Sequence, residues 1–416
     1  MQPIYFDIAV IGGGASGLAA AIEAKQYGGE SCRVAVIEKN ARLGKKILAT
    51  GNGRCNLGNI NEEQSCHYYG SCSDLVIPLF EQFEGTEEFF RSLGLICKKD
   101  SGRLYPYSNH AASVLDALRF QLQELNAEVF TDSEVISLKN TGRNWEILTG
   151  KEKIISKKVI ASCGGKSAPA MGTDGNFYRI LKSIGHSWNP LHPALCPVLV
   201  DREQVKSLKG IRVTGKVSLC NNSGEIIQTD TGEVQFTENS LSGICVFNLA
   251  ALITEENMSI KIDLLPALTT DEVRDLLWSI YMQRSAWKIE DMLSGIFQKK
   301  MCASLIRKSV ISLEMDLPVY SLSNDDIERL VRTIKAWSFN VRGLSNWNQS
   351  QVTAGGIKRS EIKNTLESKL CEGLYFAGEI LDIAGECGGY NLAWAWCSGV
   401  CAARNAVDSL KGGDNI

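Results

Sequence analysis

Three glycines near the N-terminus, Gly12, Gly14 and Gly17, have the spacing that holds a dinucleotide pyrophosphate. Gly12 permits the tight turn after a strand, Gly14 lets backbone approach the phosphates, and Gly17 lets helix and strand pack closely. The anion then rests on free N–H groups at a helix N-terminus. Glu38, about 20 residues on, suits a ribose hydroxyl. Far along the chain, Gly378-Glu379 supplies an acid that can accept from a ribitol chain and a glycine under which a flavin can lie. The run Ala49-Thr50-Gly51-Asn52-Gly53-Arg54-Cys55-Asn56, with Lys45 and Lys46 beside it, reads in two ways. It is either a loop over pyrophosphate and flavin, with Arg54 stabilising the reduced anion, or a solvated basic turn. Gly388-Gly389 opens a last helix whose positive end would favour the same anion.

Candidates for proton transfer are Tyr390, Tyr105 and His192. Tyr390 follows the two glycines beside the expected flavin and is the strongest of the three. A phenol there can donate a proton to a substrate carbon or hold a carbonyl. Tyr105 in Gly102-Arg103-Leu104-Tyr105-Pro106 reads first as a packed aromatic and His192 as a structural histidine, and Arg103 as a partner for a substrate acid or a surface carboxylate.

These residues need elements to hold them. Asp7 to Ile11 reads as a strand, Leu18 to Tyr27 as an Ala-rich helix, and Cys32 to Ile37 as a second strand. Helical patterns follow at Ser73 to Leu93 and Ala111 to Leu125. Strands are expected at Glu128–Phe130, Glu134–Leu138, Trp145–Leu148 and Lys153–Ile155, and separately at Lys158–Ser162, whose trailing Gly164-Gly165 can admit a ligand. After Pro190 the chain turns β-rich, with Val213–Cys220, Glu225–Gln228, Glu233–Phe236 and Ser259–Leu264, then helical from Thr270 to about Arg342. A strand at Gly373–Ala377 returns near the C-terminus. The expected fold is therefore α/β, with a Rossmann-like FAD-binding domain in two segments, 1–190 and 345–416. A β-rich domain, 191–268, and a helical domain, 269–344, lie between, without a readable motif.

Composition narrows the classes. At 416 residues the chain is too long for one small core. A net charge of −3 and no basic run argue against nucleic acid as a partner. No apolar run reaches the length of a membrane span, and Met1-Gln2-Pro3 has no basic leader, so a cytoplasmic protein is expected. The 14 cysteines form no C-x-x-C pair, which argues against a thiol–disulfide reductase. The four histidines make no zinc pattern, so no metal is expected.

Taken together, Gly12–Gly17, Ala49–Asn56, Gly102–Pro106, Gly164-Gly165-Lys166-Ser167, Gln351–Gly356, Glu367-Ser368-Lys369 and Gly373–Gly399 resemble a bacterial flavoprotein family. Its members are NAD(P)/FAD-dependent oxidoreductases of the aminoacetone oxidase-like or 3-dehydro-bile-acid reductase-like type. The resemblance spans nearly the whole chain and implies a split FAD domain, an inserted β-barrel-like domain and a small helical domain. It implies FAD contacts at Gly12, Gly14, Ala15, Ser16 and Gly17, at Glu38 and Lys39, and at Gly44 and Lys45. Further contacts would come from Arg54, Cys55 and Asn56, from the backbone of Val135 against the adenine, and from Gly378, Glu379, Asn391 and Leu392. One departure is a shorter loop, Thr173-Asp174-Gly175-Asn176. The function expected is FAD-dependent hydride transfer driven by NADH or NADPH as a transient reductant, to an activated C=C of a steroid-like or other small molecule. An amine oxidase reoxidised by O2 and a non-enzymatic flavin-binding protein are the alternatives. Oligomeric state is not legible.

Overall fold

Strand β1 (Pro3–Ile11) and strand β2 (Val34–Ile37) run parallel, and β2 is buried at every position, as in a sheet covered on both faces. The computed structural model describes residues 2–310 and 314–413. Glu128–Phe130 extends the sheet beyond β2. On the other side of β1 lies Lys153–Ala161, parallel to it from Pro3 opposite Lys153 to Ile11 opposite Ala161.

That strand corrects the sequence reading of two separate strands. Its outer edge is shared. Lys153–Ser156 pairs antiparallel with the Trp145–Thr149 strand, and Val159–Ala161 pairs parallel with Leu374–Phe376. Ser156 and Lys157-Lys158 fall where one partner gives way to the other, and their polarity breaks the apolar pattern. Val135–Asn140 completes the antiparallel end of this seven-stranded sheet.

Helix α1 (Ala15–Gly28) has buried residues from Ser16 through Lys25 without a break. The C-terminal helix, Tyr390–Gly413, crosses it at Gly399, where a Cβ would meet the carbonyl of Ser16. The continuous helix expected over Ser73–Leu93 is instead two short ones, Val76–Phe80 and Thr86–Ser92. They part at Gly85, whose φ of 93° is open to glycine and costly for other residues.

The chain forms two compact units, residues 1–194 with 347–416, and residues 195–346. Within the second unit six antiparallel strands close a barrel, in the order Val198–Val200, Ser240–Ser242, Ile226–Phe236, Arg212–Cys220, Ser259–Asp263 and Trp337–Leu344. Two expectations change here. Glu225–Gln228 and Glu233–Phe236 belong to one long strand, Ile226–Phe236. Trp337–Leu344, assigned by sequence to the helical stretch, is the closing strand, because Trp337 and Phe339 point inward while Ser338 and Asn340 point out. The helix Thr270–Gln283 is capped one residue before the expected start. Thr269 and Glu272 form a reciprocal capping box.

Candidate cofactor site

The β1–α1 turn is built by backbone closeness. Gly12 takes φ 107°, and a Cβ on it would lie 2.5 Å from the Ser162 carbonyl oxygen. Its N–H donates to Ile37 at 2.8 Å, which ties the turn to the end of β2. A Cβ on Gly17 would collide with the Gly12 carbonyl, so the helix presses directly on the turn. Gly14 is the N-cap and differs from both: nothing lies within 4 Å of where its Cβ would be. No side chain caps this helix and no acidic residue occupies its first turn. The result is an open cradle at a positive helix end.

Glu38 closes the cradle. Its Oε2 accepts from the Gly13 N–H at 2.7 Å, and its Oε1 accepts from the backbone and side-chain amides of Asn40 at 2.8 and 2.6 Å. The Ser133 N–H donates to the Glu38 carbonyl at 2.9 Å, which brings the segment leading to Val135 alongside. Gly44, at φ 71°, donates its N–H to the Gly13 carbonyl at 2.8 Å. Lys39 pairs with Asp174 of the shorter loop at 2.8 Å, and Lys45 donates to the Ala170 carbonyl at 2.8 Å.

The distant C-terminal segment meets this turn. The Ser16 hydroxyl donates to the Ala377 carbonyl at 3.4 Å, and a Cβ on Gly378 would strike Ser16. Glu379 is held by two groups: Oε1 accepts from the Thr353 N–H at 2.8 Å, and Oε2 pairs with Lys46 at 2.7 Å. The opening expected at Gly164-Gly165 is filled by the chain itself, since a Cβ on either would meet Thr173 or Thr353.

The loop from Thr50 to Asn56 is contorted. Gly51, Asn52, Gly53 and Cys55 all have positive φ, at 55°, 55°, 82° and 57°. Arg54 points its guanidinium over the Tyr105 ring at 4.3 Å. Cys55 is buried and its thiol is pushed up to about 12 by that burial, so it is no nucleophile at neutral pH. The Asn56 Oδ1 is buried with no partner among the described residues, and a Cβ on Gly389 would come within 2.9 Å of it. Gly389 in turn opens the last helix, its carbonyl accepting from the Ala393 N–H at 3.0 Å. Trp394 and Trp396 are core residues that tether the site: their indole N–H groups donate to Gly378 at 3.3 Å and Leu57 at 3.0 Å. Leu392 is partly buried against the same core.

Tyr390, Tyr105 and His192 lie on three separate elements. Tyr105 is buried on the short strand Arg103–Pro106. His192 lies opposite Ala354 in a two-stranded ladder. Tyr390 is buried, and that burial, with Glu386 nearby, pushes its phenol up to about 12. The Asn391 side chain is spent on backbone: it accepts from Gly385 N at 2.8 Å and donates to Gly385 O at 2.7 Å. Sequence reasoning missed the groups that surround Tyr390. His67 stacks on its ring at 4.4 Å, His67 Nδ1 lies 2.9 Å from Glu386 Oε2, and the Tyr69 hydroxyl donates to Glu386 Oε1 at 2.6 Å. The adjacent aromatics Tyr68-Tyr69, a residue type enriched in strands, were the signal that could have marked this strand.

Pyrophosphate at the uncapped Gly14 helix start, ribose at Glu38, and a polar ring edge at the orphaned Asn56 acceptor are a consistent fit for FAD. A flavin bound there would supply hydride chemistry, and these residues would hold it and set its electrostatics.

A 3-dehydro-bile acid delta(4,6)-reductase of Clostridium scindens is 36% identical over 410 residues, covering 96% of this chain and 99% of the relative. A ribosomal RNA dihydrouridine synthase of Escherichia coli is 26% identical over 415 residues, covering 97% and 98%. The fold matches that of 3-ketosteroid delta1-dehydrogenase from Sterolibacterium denitrificans, with a TM-score of 0.51 at 13% identity over 97% of this chain and 100% of that one. The family model described as the HI0933-like protein Rossmann domain matches residues 6–405, and the chain therefore belongs to this family of Rossmann-fold flavoprotein oxidoreductases.

Proposed function

We propose that this protein is an FAD-dependent reductase that draws electrons from NADH or NADPH and saturates a C=C bond activated by a neighbouring carbonyl in a small, steroid-like molecule. The observation that carries the reading is the open, uncapped helix start at Gly14, joined through Ser16 to the segment Ala377-Gly378-Glu379 from the far end of the chain. A pyrophosphate would lie on the first and a ribitol chain along the second. FAD would be held by the glycine turn with Ala15 and Ser16, by Glu38 and Gly44, and by the backbone N–H groups of Asn391 and Leu392 at the start of the last helix.

The relatives' names support the chemistry. Delta(4,6)-reduction of a 3-dehydro compound and formation of dihydrouridine are the same event: a hydride and a proton cross a carbonyl-activated C=C. Of the two substrate classes, the steroid-like one is favoured by 36% against 26% identity and by the net charge of −3, which gives no attraction to RNA phosphates.

The test is anaerobic. NADH or NADPH is expected to bleach the flavin, and a 3-oxo-Δ4 steroid to restore its colour with formation of the saturated product. Bleaching by small amines but by neither nucleotide would overturn the reading in favour of an amine oxidase. Reoxidation by uridine-containing ribosomal RNA and by no steroid would move the substrate to nucleic acid.

A further inference from the structure

We propose that His67, held by Glu386, supplies the proton that completes the reduction. The inference rests on the reductase reading above. The carboxylate is fixed from several sides. Its Oε2 takes His67 Nδ1 at 2.9 Å and its Oε1 takes the Tyr69 hydroxyl at 2.6 Å. The Glu386 N–H donates to the His67 carbonyl at 3.0 Å, and Ala384-Gly385 pairs antiparallel with Tyr68-Tyr69. Asn391 clasps Gly385 from the first turn of the last helix. The imidazole therefore has one position, flat against Tyr390 with 25° between the rings.

With Nδ1 committed to a carboxylate, Nε2 is the ring nitrogen that this pair leaves open. Nε2 makes no hydrogen bond among the described residues, and the His67 side chain is 26% exposed. The molecule contains a second pair of the same kind that shows the contrast. His186 Nδ1 lies 2.8 Å from Glu361, but its Nε2 is taken by the Ser368 hydroxyl at 2.9 Å and its side chain is fully buried. Ser368 also accepts the N–H groups of Leu370 and Cys371, so that Ser–His–Glu array is a structural clamp. His67 alone of the two can pass a proton outward.

Tyr390 serves as the platform. Burial, then Glu386, Cys66 and Glu63, raise its phenol to about 12, while Arg103 opposes. It keeps its proton at neutral pH and is a positioning residue for the imidazole. The balance is simple. The C=C π bond breaks; the β-carbon gains the hydride delivered from the reduced cofactor, and the α-carbon gains the proton of His67 Nε2–H. Water then reprotonates the imidazole.

Holoenzyme reduced with dithionite and mixed with a conjugated ketone isolates this step, read as flavin reoxidation per bound flavin. His67→Gln is expected to slow reoxidation about 100-fold, with flavin content, dithionite reduction and thermal unfolding unchanged. Glu386→Gln should slow it about 10-fold, and free imidazole should restore His67→Ala but not His67→Gln. Fast reoxidation in both wild type and His67→Gln overturns the assignment of His67 alone. Wild-type enzyme that no conjugated ketone reoxidises overturns the reductase reading, and this inference with it.

Discussion

Glu38 performs two tasks with two oxygens. One holds Gly13 and so shapes the turn; the other faces Asn40, where a ribose would compete for it. Glu38→Ala is therefore expected to lower the flavin retained through purification severalfold, read as visible against ultraviolet absorbance, while Glu38→Gln keeps an acceptor and loses less. Equal flavin in all three proteins would remove Glu38 from the site. At this scale the glycine turn was legible because its function needs particular residue types at particular spacing. The His67–Glu386 pair was not. Its members are 319 positions apart, and a lone histidine carries no spacing that names its partner.

Among the elements, the clamp at Glu361 binds the turn Arg359–Glu361 to His186 and Ser187 and, through Ser368, to the approach of the returning strand. Burial alone would raise the Glu361 carboxyl, but hydrogen bonds from Ser187 and His186 outweigh it and hold it below its ordinary value. A carboxyl lowered by folding adds stability that is full above its unfolded value, about 4.3, and is lost as pH falls through the folded one. The gap in urea midpoint between wild type and Glu361→Gln should thus be constant above about pH 5 and shrink below about pH 4. A gap that widens on acidification would contradict the assignment. Elements whose pattern is local, such as β1 and α1, could be read in advance. Trp337–Leu344 could not, because it follows the helix Asn324–Lys335 with a single residue between them and becomes a strand only by closing a barrel begun at Val198. Likewise the break at Gly85 looks like one glycine in a helical pattern until its φ is known.

The described residues form two hydrophobic cores, one around the seven-stranded sheet and one inside the barrel with its helices. Every proposed FAD contact lies in the unit that owns the first. Calorimetry of protein stripped of flavin is expected to resolve two transitions, and added FAD to raise only one of them, by about 2.7 kcal/mol when FAD is about 100 times its Kd. A single transition that shifts as a whole would mean that the units unfold as one.

The contact between Ser16 and Ala377 joins residues 361 positions apart. A ribosome adds about 5–20 residues per second, so the glycine turn is synthesised roughly 20–70 s before its counterpart. Until then the Val159–Ala161 edge lacks Leu374–Phe376, and α1 lacks the helix that crosses it at Gly399. The glycine turn is thus made well before the segment that completes it. Cofactor uptake at that turn would wait for the returning segment, and during synthesis the cell has a half-built sheet to shelter.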